Sequence, residues 1–179
     1  MKKVLLITFF FIFIFGFSQT KTEIESLLNK IAENKDSKEI TITEEGKKLI
    51  SFGWKSLSML TYFFTDQTET NVKSECLGRN LTTGEVAIIM ADRIEGMPYE
   101  RVTGIENCTL TFCEKNINLI EFYLPYIQRD GIEKFQMKYR EWLASDDSVE
   151  WKPVIEYQSN RERKEIIREK KKAKLDLGK

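Results

Sequence analysis

Between Thr82 and Met97 the chain reads TTGEVAIIMADRIEGM, and the start, the stop and the periodicity of this stretch jointly specify a helix. The Thr82 hydroxyl can accept from a backbone N–H three residues on while Glu85 reaches back to the Thr82 N–H, the reciprocal arrangement of a capping box. Gly96 and Pro98 predict the end, because glycine takes a left-handed turn freely and proline cannot continue the ladder. On a 3.6-residue wheel Val86, Ile89, Met90, Ile94 and Met97 share one face, Ala87 and Ala91 widen it, and Ile88 falls nearly opposite. A helix this apolar is expected at the centre of its domain, with Glu85, Asp92 and Glu95 away from the apolar arc. Arg93 breaks the pattern by falling inside it.

The flanking sequence repeats the helical signal. Thr22 with Glu25 predicts a second capping box opening a helix to about Lys35, with Ile24, Leu27, Leu28 and Ile31 inward. From Thr43 to about Asp66 the spacing of Leu49, Ile50, Leu57, Leu60, Phe63 and Phe64 predicts one long helix that tolerates Gly46 and Gly53. Polar residues from Gln67 to Leu81 predict a loop. Asn118 with Glu121 and Asp130 with Glu133 predict two further helices, the first kinked or broken at Pro125, the second burying Ile132, Phe135, Tyr139, Trp142 and Leu143 to about Ala144. Residues 109–113 alternate as a strand would, with the Ile40–Ile42 segment as the available partner; a disulfide-pinned loop is the competing expectation for residues 99–115. The expected fold is mainly α: a compact bundle of about five helices over residues 19–148, with room for a minor two-stranded element. An extended linker and a charged helical arm follow over residues 149–179, with too few apolar residues to form a core and therefore solvated.

The amino terminus predicts export. Lys2 and Lys3 precede an apolar run from Val4 to Phe17, shorter than the ~20 residues of a membrane span, and Gly16 and Ser18 supply small residues at the −3 and −1 positions. Residues 1–18 therefore read as a signal peptide cleaved after Ser18, which places the protein in a secreted or periplasmic location. Removing Lys2 and Lys3 leaves 28 − 2 = 26 basic residues against 28 acidic ones. The stretch from Arg161 to Lys179 holds nine basic and four acidic residues, so the body keeps 26 − 9 = 17 basic and 28 − 4 = 24 acidic. An acidic body argues against nucleic acid as a partner, since phosphate binding needs clustered Lys and Arg. The basic tail, in contrast, suits a weak contact with an anionic envelope surface.

In an oxidising compartment Cys76, Cys108 and Cys113 are disulfide candidates, and three cysteines leave one thiol over. Five residues place Cys108 and Cys113 on different faces of a helix or strand. Cys76 is therefore expected to bond one of the two, Cys113 being the less favoured. The chain contains no histidine, which removes Ser-His-Asp and Cys-His catalysis, and a lone C-x4-C spacing predicts no metal site.

What remains for an enzyme is carboxylate chemistry. A glycosidase needs two acids about 5 to 9.5 Å apart, whereas Glu85 and Asp92 are seven residues apart on one helix, roughly 10 Å along its axis. Arg93 is a candidate for binding an anion or a partner's carboxylate, against the commoner outcome of an internal pair. Phe122, Tyr123, Tyr126, Phe135, Tyr139 and Trp142 match the inward faces of two helices, and Phe122 and Tyr126, off that stripe, are the candidates for exposure and binding. No cofactor is expected. Export, small size and a motif-poor body point to a non-catalytic binding protein, an inhibitor or immunity-type protein acting on another protein. The alternative is a small carboxylate-dependent hydrolase of cell-wall glycans.

Overall fold

A computed structural model describes residues 21–106, 113, 116, 118–151 and 160–177, with side chains of the last segment described for residues 164–174. Its element order is α1 (Lys21–Ile31), α2 (Glu44–Ser51), a 3-10 turn (Gly53–Ser56), α3 (Leu57–Leu60), a second 3-10 turn (Thr61–Phe63), and the strands β1 (Glu69–Ser74) and β2 (Arg79–Thr82). There follow α4 (Thr83–Ile94), α5 (Tyr99–Thr103), a 3-10 turn (Leu119–Phe122), α6 (Leu124–Asp130), α7 (Ile132–Ala144), α8 (Asp147–Glu150) and α9 (Asn160–Leu177). The fold is mainly helical with a small antiparallel sheet.

The stretch from Thr82 to Met97 forms the helix its caps predict, with the capping box complete at Thr82 and Glu85. Burial exceeds the expectation. Every residue from Thr83 to Ala91 is buried, Ile88 included, so α4 has no solvent face over its first nine residues. Its carboxyl end differs as well: the helix stops at Ile94 and Glu95 takes an extended conformation, while Gly96 is not left-handed. The Asp92 carboxylate stops it instead by accepting the Met97 N–H at 2.9 Å.

α1 buries the four predicted residues Ile24, Leu27, Leu28 and Ile31. Thr22 lies inside it rather than ahead of it, and the Asn34 amide caps the far end on the Ile31 carbonyl at 2.8 Å. The single long helix expected over 43–66 is broken into α2, α3 and two 3-10 turns. Gly53 makes the break by adopting φ +63°, a left-handed conformation that ends α2 and redirects the chain. Gly46 matters for space: a Cβ there would lie 2.0 Å from the Ile40 carbonyl oxygen, so the glycine permits the close return of the preceding turn.

The loop expected at 67–81 is a β-hairpin. Glu69 pairs with Thr82, Lys73 with Asn80 and Ser74 with Arg79, with an irregularity between the first two pairs. β1 alternates exposed and buried residues strictly, but its buried set is Thr70, Val72 and Ser74, two of them polar, so the period-2 pattern is invisible on a hydrophobic scale. Its outer edge is covered by the segment after α1, with Asn71 N–H to the Ala32 carbonyl at 3.0 Å and Lys73 N–H to the Lys35 carbonyl at 3.1 Å. The Ile40 segment forms turns rather than a strand, and residues 109–112 of the other expected strand lie outside the described residues.

The break expected at Pro125 falls at Tyr123, between a 3-10 turn and α6, and Pro125 sits in the first turn of α6, where its missing N–H costs nothing. Neither Asn118 nor Asp130 caps a helix through its side chain: the Asn118 amide donates to the Ser37 carbonyl at 2.8 Å, and Asp130 is the last residue of α6, ahead of Gly131 at φ +100°. α7 presents the predicted Ile132, Phe135, Tyr139 and Trp142 to the core. There Phe64 meets Phe135 and Tyr139 with ring centroids 5.8 and 5.5 Å apart. The disulfide joins Cys76 to Cys113, the less favoured pairing, with Cα atoms 5.8 Å apart, and Cys108 lies outside the described residues. It ties the hairpin turn to the segment ahead of the Leu119–Phe122 turn. Closing a loop with a sequence separation of 37 residues restricts the unfolded chain by about 4 kcal/mol on the chain-entropy account.

The chain entering α4 is held as closely as the turn at Gly46. Gly84 donates its N–H to the Asp66 carbonyl at 2.8 Å, and a Cβ on it would lie 2.2 Å from the Phe64 carbonyl oxygen, a backbone atom that cannot swing aside. We expect Gly84→Ala to destabilise the protein by about 1–3 kcal/mol, read as a lower urea midpoint with unchanged slope. An unchanged midpoint would show that the 64–66 segment does not press on the helix.

Candidate functional site

Among the described residues buried charge gathers at the two ends of α4, with one further carboxylate, Glu121, buried on the Ser74 hydroxyl and the Asn118 amide. At the amino end Glu85 is fully buried and takes a bidentate contact from Arg79, Nη1 to Oε2 at 2.7 Å and Nη2 to Oε1 at 2.6 Å. The Thr82 N–H adds 2.9 Å, and the Gln128 amide 3.5 Å. The same carboxylate thus closes the capping box, sits at the positive end of the helix and neutralises an arginine from β2. Its fork geometry is fixed by one strand and one helix that adjoin in sequence.

At the carboxyl end acids and phenols gather. Tyr99 of α5 donates its hydroxyl to Asp92 at 3.0 Å, and its ring stacks on Tyr123 with centroids 4.6 Å apart and planes 12° from parallel. Burial is the main influence on Asp92 and raises its pKa to about 6, against the lowering effect of the Met97 N–H, the Tyr99 hydroxyl and the nearby Arg93. One turn on, Glu95 is 4% exposed and pairs with Lys170 of α9, itself 6% exposed. Burial also raises Glu95, with the lysine opposing. The Tyr139 phenol is pushed up by burial first and then by the field of Glu95 and Asp92. Its hydroxyl and the Trp142 indole N–H have no hydrogen-bond partner among the described residues.

The Lys170–Glu95 contact revises the expectation of a solvated arm. Lys170 Nζ also donates to the Ser148 carbonyl at 3.2 Å, Lys174 Nζ to the Ser145 carbonyl, and Lys55 pairs with Glu169 at 3.3 Å. α9 therefore lies against α8 and the carboxyl end of α4, and a pocket of about 160 Å³ remains between it and the body. Glu95 is buried under the arm, not displayed with the surface acids as the wheel suggested.

The sequence candidates for binding fall elsewhere. Arg93 is half-buried on α4 and forms no ion pair with another described residue. Phe122 is half-buried and packed on the core, edge-on to Tyr123 at 5.1 Å and 5.5 Å from Tyr126. Tyr126, half-buried, lines a cavity of about 30 Å³ with Lys134 and Lys138, and Arg129 lies 5.2 Å from its ring. Arg93 is thus not brought together with the two aromatics in a shared pocket among the described cavities.

A surface the periodicity did not single out is more open. Tyr62 and Met137 are about half exposed, Arg140 stacks over the Tyr62 ring at 4.8 Å, and Lys21 lies 5.9 Å from the same ring. The signal was present: Met137 and Arg140 fall off the inward stripe of α7, and Tyr62 stands between the inward Leu60 and Phe63. What could not be read was that α7 and the turn after α3 meet, with the Gln136 amide on the Thr61 carbonyl at 2.6 Å.

Among the described residues no helix is long and apolar enough to cross a membrane, and no group of three His, Cys, Asp or Glu side chains could hold a metal ion. Compared with known families, curated proteins and solved structures, the chain matches none.

The raised pKa of Asp92 has a definite sign in stability. Its folded value of about 6 exceeds the unfolded one near 3.8, so the folded state binds the extra proton and stability from this group falls as pH rises from about 4 to 6, by at most about 3 kcal/mol. Asp92→Asn keeps an acceptor for the Met97 N–H and the Tyr99 hydroxyl but cannot titrate. The variant is expected to flatten the pH 4–6 slope in chemical denaturation series; an identical slope would place the titration in another group.

Proposed function

We propose that this is an exported, non-catalytic binding protein that recognises another protein through the face built by Tyr62, Met137, Arg140 and Lys21. The observation that carries the reading is the contrast between that face and the acids. Glu85 is committed to Arg79 and the helix cap, Glu95 to Lys170, and Asp92 to Tyr99 and the Met97 N–H, so the carboxylates suited to hydrolysis already have structural partners. The exposed face, in contrast, carries the residue types that dominate recognition energetics: a tyrosine held by a stacked arginine and a flexible methionine. Its cations fit an acidic surface on the partner.

Export is supported by the Lys2, Lys3 and Val4–Phe17 pattern with Gly16 and Ser18, and by a Cys76–Cys113 disulfide of the kind that oxidising compartments favour. An inhibitor or immunity-type role follows from binding without chemistry. The alternative, a carboxylate-dependent hydrolase of cell-wall glycans, requires one of these acids to leave its present partner.

Immobilised mature protein is expected to retain a specific secreted protein at a fixed stoichiometry, and Tyr62→Ala with Arg140→Ala to lose it by more than about tenfold in affinity, without change in thermal stability. Release of sugars from cell-wall glycan by the protein alone, abolished in an amide variant of Glu85, Asp92 or Glu95, would overturn the reading in favour of the hydrolase.

A further inference from the structure

The pocket under α9 is a distinct feature from the Tyr62 face and from the cap at Glu85. It has about 160 Å³ of space, with Trp54, Leu57, Leu143, Val149 and Ala173 forming apolar walls. An apolar cavity of about 150 Å³ stays dry and takes benzene, so this one is sized for a single ring or a short acyl chain. Four charged residues also line it: Lys55, Lys170 and Lys174 against the one carboxylate of Glu95.

Position sorts those charges. Glu95 and Lys170 are buried, whereas the side chains of Lys174 and Lys55 are 25% and 57% exposed and mark the open side. Lys170 has three N–H donors, and two are used, on Glu95 and the Ser148 carbonyl. Lys174 is bonded to the Ser145 carbonyl and lies 3.8 Å from a fully exposed Asp146 carboxylate, a contact that water weakens. Lys55 pairs with Glu169 at 3.3 Å, both side chains more than half exposed, so water weakens that contact as well. Of the charges that line the pocket itself three are ammonium groups, and the one carboxylate, Glu95, is already paired. A cationic head would meet three ammonium groups; a carboxylate would meet complementary charge.

We propose that this pocket binds a small aryl or short-chain carboxylate, with the apolar body between Trp54, Leu57 and Leu143 and the carboxylate at the Lys174 and Lys170 ammonium groups. The inference does not depend on the protein partner proposed above. It uses a different surface, and a ligand there bridges α9 to the body.

Benzoate, benzamide and benzamidine share one ring and differ in head charge, so titration of each into the full mature chain, followed by calorimetry and tryptophan fluorescence, reads both the ring site and the head site. Benzoate is expected to bind, benzamide about tenfold more weakly, as befits loss of a charge-assisted hydrogen bond, and benzamidine more weakly still. Lys174→Gln is expected to bring benzoate down to the level of benzamide while leaving benzamide unchanged. Ala173→Leu should abolish binding of both by filling the cavity from α9, and Ser58→Leu should do the same from the opposite wall, so that loss in the pair does not reduce to detachment of the helix. No benzoate binding at millimolar concentration, equal affinity for the three heads, or undiminished binding by both filled variants would each overturn the proposal.

Discussion

The structure depends on burying α4 without leaving its polar ends unmet. A helix with no solvent face over Thr83–Ala91 places its orphan N–H and C=O groups close to the protein interior, where each unpaired group costs about 1–3 kcal/mol. At the amino end the Thr83 and Gly84 N–H groups reach the Thr68 and Asp66 carbonyls, and a carboxylate at each end of the helix takes an N–H of the chain that enters or leaves it. Glu85 closes the capping box and is held by Arg79, and Asp92 takes the Met97 N–H while Tyr99 orients it. Around that helix the other elements take their places: the hairpin delivers Arg79, α5 delivers Tyr99, and α9 reaches back to cover Glu95.

This arrangement also decides what the acids can do. A catalytic carboxylate needs a free face toward substrate, and a protonated one needs an apolar site open to it. Asp92 has the raised pKa of such a group, yet its oxygens are occupied by a backbone N–H and a tyrosine within its own fold. Desolvation at the end of a buried helix accounts for the shift without invoking chemistry.

The elements legible in the sequence were those whose signal is local. Thr82 and Glu85 are three apart and form the capping box they spell; Ile24, Leu27, Leu28 and Ile31, and likewise Phe135, Tyr139 and Trp142, bury as their period demands. Where two residues far apart in sequence had to meet, the sequence was silent. Lys170 and Glu95 are 75 positions apart, and neither a charged tail nor a helix wheel reveals that one neutralises the other. Ser74 and Glu121, 47 apart, form another such contact in the interior. The hairpin escaped for a different reason: its inward residues Thr70 and Ser74 are polar, Thr70 bonded to the Leu81 carbonyl at 2.7 Å and Ser74 to Glu121, so hydrophobic alternation never shows. Cysteine parity named the candidates for the disulfide, but only the fold brings Cys76 to Cys113.

The candidate sites divide the same way. Arg93, Phe122 and Tyr126 were singled out because each departs from its helix's period, and all three are only half-buried. The Tyr62 face and the pocket beneath α9 are made by elements distant in sequence, so both required the fold. If α4 is the element whose loss dissolves the rest, native-state hydrogen exchange reads it at the helix itself. The amides of Ile88 through Ala91 should exchange only through global unfolding, with an opening free energy equal to that from denaturant titration and the same denaturant dependence. Exchange of those amides through a smaller, denaturant-independent opening would show that the rest of the fold stands without α4.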